Sequence, residues 1–202
     1  MAGMDRSPEI SRRRFGGLVA IAGLAAAYLA TAPARAQLSI DLYRRFPLPE
    51  AARVGDANQV RQILSSGVSP NTIDIDERPT IVIAAIGGHT GVVAALVEYG
   101  VRVDAKDKQG NTAIFWAAER GFDDIIDILI KAGADLNGDD RAGVTPLIAA
   151  ARNGRLGVVR RLAKAGADLN RQDYTGRTAL GWAEAGNHRN VAEALRRAGA
   201  KP

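Results

Sequence analysis

Between Lys106 and Asn137 the hydrophobic and polar positions spell two short helices and a loop. Gly110-Asn111 reads as a turn, and Thr112 follows as a hydroxyl able to cap a helix start. Ile114-Phe115-Trp116-Ala117-Ala118 opens the first helix, with alanines small enough to let a neighbour approach closely. Gly121 breaks it, as glycine does where a positive φ is wanted. Ile125, Ile126, Leu129 and Ile130 recur at helical spacing, so a second helix carries an apolar stripe. Gly133 stops that helix, and Asp135 begins an extended loop leading to the next turn.

The same grammar returns every 33 residues: Gly67, Gly100, Gly133, Gly166 and Gly199 share the offset, as do Ala84, Ala117, Ala150 and Ala183. Thr112, Thr145 and Thr178 form a third column, and Asp74, Asp107, Asp140 and Asp173 a fourth. Four columns in register across most of a chain mark a solenoid of stacked units.

Gly143-Val144-Thr145-Pro146-Leu147, Ala150-Ala151, Gly154, Val158-Val159, Leu162 and Gly166-Ala167-Asp168-Leu169-Asn170 together resemble the ankyrin repeat. The resemblance covers Glu50 to Lys201. It implies an all-α solenoid: antiparallel helix pairs stacked in an arc, with β-hairpin-like loops projecting toward the concave side. A degenerate unit is expected at 50–71, then repeats near 72–104, 105–137, 138–170 and 171–202.

Ahead of the repeats, Met1 to Ala36 reads as an address, not a fold. Ser11-Arg12-Arg13-Arg14-Phe15 precedes a mild apolar run, and Ala34-Arg35-Ala36 places small residues where a signal peptidase reads them. That run, Leu18 to Ala32, is shorter than the roughly 20 residues a membrane span needs. Arg12, Arg13 and Phe15 resemble the twin-arginine export signal, although Gly16 and Gly17 replace its usual Leu and Lys. The competing readings are an ordinary Sec signal and an uncleaved anchor. Cleavage after Ala36 leaves a mature chain starting at Gln37 in the periplasm, touching the membrane only during export. Leu38 to Phe46 reads as a capping helix within 37–49, ended by Pro47 and Pro49.

Composition sharpens this picture in two respects. The formal charge is +5, but the first 36 residues contribute +3 (five arginines against Asp5 and Glu9), leaving +2 on the remainder. A near-neutral body argues against a nucleic-acid partner, whose phosphates demand concentrated basic surface. The absence of cysteine removes disulfides and thiolate metal sites.

Three departures from the repeat pattern are informative. Glu77 occupies the turn-glycine column and Pro79-Thr80 inverts the usual order, so an altered loop is expected there. Asn187 replaces the mid-unit glycine, and asparagine tolerates positive φ best after glycine. Glu193, Arg196 and Arg197 give the last helix a polar face suited to a terminal cap. Asp127, Arg160 and Glu193, each 33 apart, are expected to stack as an alternating ion ladder.

Candidate chemistry is sparse. His89 and His188 follow the mid-unit turn and read as structural. Asp135, Asn137 and Asp139 start like a calcium loop, but Asp140 replaces its glycine and Pro146 its final acid, which leaves loop carboxylates binding backbone. Glu119 with Asp123, Asp124 and Asp127 reads as a solvated helix start. Arg155, Arg160, Arg161 and Lys164 read as a solvated face, and Trp116 and Trp182 as core. No catalytic, cofactor or metal constellation is expected. What the resemblance implies is a non-enzymatic, monomeric module that binds a protein. Carried over by column, its loop tips are Lys108, Gln109 and Asn111, then Arg141, Ala142 and Val144, then Tyr174, Thr175 and Arg177. Its inner-helix positions are Glu119, Arg120, Arg152 and Asn153. An accessory to an exported enzyme or stress-defence protein fits this reading. Two alternatives stay open: a ligand-binding or enzymatic protein using the concave groove, and an inhibitor or immunity protein.

Overall fold

The computed structural model describes residues 47–201. The expected export residues Arg12, Arg13, Phe15, Ala34 and Ala36, and the helix expected at Leu38–Phe46, lie outside them. Within the described residues ten helices form five pairs: α1 (Pro47–Val54) with α2 (Ala57–Ser65), α3 (Thr80–Gly87) with α4 (Thr90–Glu98), α5 (Ala113–Arg120) with α6 (Asp123–Lys131), α7 (Pro146–Arg152) with α8 (Leu156–Lys164), and α9 (Ala179–Ala185) with α10 (Arg189–Ala198). The first helix of each pair packs on the first helix of the next, and the second on the second, giving two layers. No described helix is long and apolar enough to cross a membrane.

Repetition of the sequence becomes repetition of the core. Ile81, Ile114, Leu147 and Leu180 occupy one buried column between the layers, and Leu96, Leu129, Leu162 and Leu195 another. Ala84, Ala117, Ala150 and Ala183 are fully buried where first helices meet, so a larger side chain would push the layer apart. Helices α5, α7 and α9 start as expected: the hydroxyls of Thr112, Thr145 and Thr178 accept from the N–H of Phe115, Ile148 and Gly181 at 3.2–3.4 Å.

Pro47 and Pro49 lie in the first turn of α1. There the backbone N–H has no intrahelical acceptor to lose, so proline is tolerated. The expected boundary at Glu50 therefore falls inside a helix.

The loop of the second unit also keeps its geometry, against expectation. Glu77 adopts φ 62° and occupies the left-handed position that glycine holds elsewhere. Its N–H donates to the Asp74 carbonyl at 3.1 Å, as the N–H of Gly110 does to Asp107 at 3.0 Å. Pro79 stands in the cap column and supplies no side-chain cap. Thr80 instead donates to the Thr72 carbonyl at 2.9 Å and ties the loop shut. Asn187 takes φ 56°, so its turn is retained as the residue type suggested.

Register between units rests on two columns that the ion ladder did not anticipate. The side-chain oxygens of Asn71, Asp104, Asn137 and Asn170 accept from the backbone N–H of Arg102, Asp135, Asp168 and Lys201 at 2.8–3.0 Å, each bond joining one unit to the next. The second column is chemically mixed: His89, Phe122, Arg155 and His188 each cover the mid-unit glycine of the preceding unit so closely that a Cβ there would collide. Three of them also reach a main-chain carbonyl: His89 Nε2 to Arg53, Arg155 Nε to Glu119 and His188 Nε2 to Arg152, at 3.0–3.1 Å.

The ladder of Asp127, Arg160 and Glu193 does not form. Arg160 is exposed, and Arg161 reaches back instead, with Nε 3.1 Å from both Asp127 oxygens and its guanidinium 2.9 Å from Asp123. Glu193 pairs within its own helix with Arg197. The residue that reaches the preceding unit here lies one position beyond the strict repeat, and it spans both Asp123 and Asp127. The helix-start acids Asp123 and Asp127 are thereby bridged across units.

Candidate functional site

One carboxylate organises each hairpin loop. Oδ1 of Asp74, Asp107, Asp140 and Asp173 accepts two backbone N–H groups, from the residues two and four positions on, at 2.8–3.1 Å. Each tip is thus a rigid turn, and neighbouring tips are tied together: Arg141 N–H donates to the Gln109 carbonyl at 3.3 Å, and Tyr174 N–H to the Ala142 carbonyl at 3.0 Å.

The second carboxylate oxygen differs from unit to unit, and that difference makes the site. On Asp74 it is held by Arg53 and Arg78. On Asp107 it accepts the Trp116 indole N–H at 2.9 Å, and on Asp173 the Trp182 indole N–H at 2.6 Å. In the fourth unit Ala149 stands in the tryptophan column. Burial pushes the Asp173 carboxyl up, but bonds from the Thr175 hydroxyl, the Trp182 indole and the backbone of Arg177 and Thr175 outweigh it, and the group sits below the usual carboxylate range. Asp74 is lowered in the same way: burial opposes ionisation, and Arg78 and Arg53 overcome it.

Trp116 and Trp182 pack against the core, as expected, but at its margin. Each is half-buried, its N–H tied to the loop and part of its ring open to arginine. Arg120 lies over Trp116 with Cζ 5.9 Å from the ring centroid, and Arg177 and Arg152 lie 4.8 and 5.8 Å from that of Trp182. An indole N–H needs a partner when covered, and the aspartate nine residues upstream supplies it. That Asp-to-Trp spacing, present in two units, was the signal available in the sequence.

The expected binding residues separate into two groups. Lys108, Gln109, Arg120, Arg141, Asn153, Thr175 and Arg177 are exposed, as is Tyr174, at 76%. Glu119 and Arg152 are half-buried and face each other at 3.5 Å. Thr175 is committed to its own loop, its hydroxyl donating to Asp173 at 2.6 Å. Asn111 and Val144 do not belong to the exposed set: at 6% and 5% exposure both are tucked beneath their loops. The N–H of each closes the turn on its aspartate, which draws the residue inward; Asn111 Oδ1 has no partner there. Arg78, in the same column, was overlooked; with Lys108, Trp116 and Arg120 it lines a recess of about 550 Å³ between the second and third units.

The site offers planar cations on aromatic shelves over fixed loops, an arrangement suited to recognition. Both histidines are engaged with main-chain carbonyls of the stack. A search of the curated proteins finds no match to the chain. A family model described as ankyrin repeats, in three copies, matches residues 48–140 and 137–202. With the paired helices, the stapled hairpins and that match in agreement, the chain belongs to the ankyrin-repeat family, whose repeats are protein–protein interaction modules.

Proposed function

We propose that this protein is exported and acts without catalysis, binding a protein partner in the periplasm through its hairpin tips and the exposed face of its first helices. The observation that carries the reading is the cluster at the last two units. Arg152 and Arg177 flank Trp182, and Tyr174 stands exposed on the adjoining tip, all on rigid elements. Arginine, tryptophan and tyrosine are the residue types that dominate interface energetics, because they bring large contact area at little entropic cost. Export is supported by Arg12, Arg13 and Phe15 with the Ala34 and Ala36 cleavage pattern. The twin-arginine route moves folded cargo, so the stack would meet its partner preassembled, and an exported enzyme or stress-defence protein suits that role.

The test is affinity capture with the full chain, tagged at its C-terminus and recovered from the periplasm. It is run beside Arg141→Ala/Tyr174→Ala/Arg177→Ala, with circular dichroism to verify folding. One partner retained by the native protein and lost by the folded variant is the expected outcome. No partner under gentle and crosslinked conditions alike would sink the reading. Arg12→Lys/Arg13→Lys should leave the chain in the cytoplasm; unimpaired export would remove the twin-arginine route.

A further inference from the structure

Three arginines on the recognition face lack a counter-charge. Among the described residues Arg120, Arg141 and Arg177 make no ion pair, whereas on the same side Lys108 pairs with Glu77 at 3.3 Å and Arg171 with Asp139 at 3.1 Å. Arg152 is only loosely held, by Glu119 at 3.5 Å. Arg120, Arg152 and Arg177 rest on indole rings instead. A guanidinium on an aromatic face keeps its in-plane N–H donors directed outward, in the fork that matches a carboxylate, and the ring limits the freedom lost when an anion arrives. The indoles cannot swing away, because the buried aspartates hold them.

From this geometry we infer that the partner presents an acidic, extended segment whose carboxylates dock on the two arginine-capped tryptophans, one at Trp116 and one at Trp182. The inference rests on the protein-binding reading above and specifies its chemistry. Helices α5 and α9 are separated by α7 alone, and packed helices lie about 8–10 Å apart, so the shelves are roughly 16–20 Å from each other. An extended chain covers about 3.3 Å per residue, which places the acids roughly five to six residues apart. Arg141 stands on the tip between them and adds to the field the segment crosses. A nucleic acid fits less well: the chain beyond its first 36 residues carries only +2, and strand binding needs many phosphate contacts.

The experiment is fluorescence anisotropy with the full chain and a labelled serine/threonine-rich peptide bearing two glutamates about six residues apart. Its glutamine counterpart and an oligothymidylate are run beside it. We expect the acidic peptide to bind with a salt-dependent Kd and to perturb tryptophan emission, and the glutamine peptide to bind at least about tenfold more weakly. Arg177→Gln and Arg120→Gln should each weaken binding several-fold, and Arg177→Lys should recover only part of the loss, since lysine keeps the charge without the fork. Arg160→Gln, on the outer layer, should change nothing. Equal binding of the two peptides, insensitivity to the arginine variants, or tighter binding of the oligothymidylate would each overturn the inference. If periplasmic capture still returns a partner that the triple variant loses, only the acidic-segment inference falls. Peptide binding without any captured partner would count against the proposed role alone.

Discussion

Replacing Trp182 with phenylalanine isolates the bond on which the recognition face is built. Phenylalanine keeps an aromatic ring under Arg177 and Arg152 but removes the one N–H that reaches Asp173 Oδ2 at 2.6 Å. Asp173 is 5% exposed, so water cannot freely replace the lost donor. A hydrogen bond to a charged group contributes about 1.5–3 kcal/mol net, and the weaker ring for cation–π contact adds a fraction of a kilocalorie. About 2 kcal/mol of destabilisation is expected, read as a lowered urea midpoint. Contacts in a stacked array are local, so faster amide exchange concentrated in α9 and α10 should accompany it.

The pH dependence separates the bond from simple packing. Asp173 titrates below its ordinary value of 3.8 in the folded protein, so its ionised form stabilises the fold above that value. The contribution disappears as the pH falls through the lowered folded value. Trp182→Phe weakens one of the interactions holding the carboxyl low, so the difference between native and variant should be largest near neutrality and shrink below pH about 4. A penalty under about 0.5 kcal/mol at pH 7, or one unchanged between pH 7 and pH 3, would refute the assignment.

Three further outcomes follow from the stack. Gly154→Ala and Gly166→Ala both force a left-handed alanine, at a cost of about 1–2 kcal/mol; only at Gly154 would the new Cβ meet His188, 2.7 Å away, so Gly154→Ala should lower the urea midpoint further, and equal midpoints would remove the register role of that column. Asn137→Ala removes the bond from Asp168 N–H at 2.8 Å and should lower stability by about 1 kcal/mol, with faster exchange at Asp168; protection unchanged there would contradict the inter-unit ladder. Asp74→Asn should destabilise at neutral pH and lose that effect as the pH drops below the ordinary carboxylate value of 3.8, because the folded Asp74 is lowered; an effect that grows on acidification would reverse the argument.

The helices and their core were readable because every unit must bury the same two faces. Leu129 and Leu162, or Thr112 and Thr145, perform one task at one offset, and residue type reveals it. Contacts between units were readable only in part: Asn71, Asp104, Asn137 and Asn170 keep one residue class, Asn or Asp, at one offset, but most other polar contacts do not. Asp127 meets Arg161, one position off the repeat, and Arg160 stays exposed. His89, Phe122, Arg155 and His188 share a position and a job without sharing chemistry, so no compositional pattern reveals them. Trp116 and Trp182 were placed in the core because leucine is usual in that column; the aspartate that pulls the indole edge to the surface sits in another.

This division bears on specificity. Columns that hold to the period build the scaffold and cannot tell one unit from another. Two columns that break it lie on the proposed recognition face: Arg78, Asn111, Val144 and Arg177 in one, Ile83, Trp116, Ala149 and Trp182 in another. A uniform face would let an extended partner slide by one unit at no cost. On this face a shift of one unit takes both carboxylates off the arginine-capped indoles, and one of them lands at Ala149, which is fully buried. The proposed acidic segment then loses both of its arginine partners at once, so the shifted register binds more weakly. Unequal units thus fix the register of binding, as equal units fix the register of the stack.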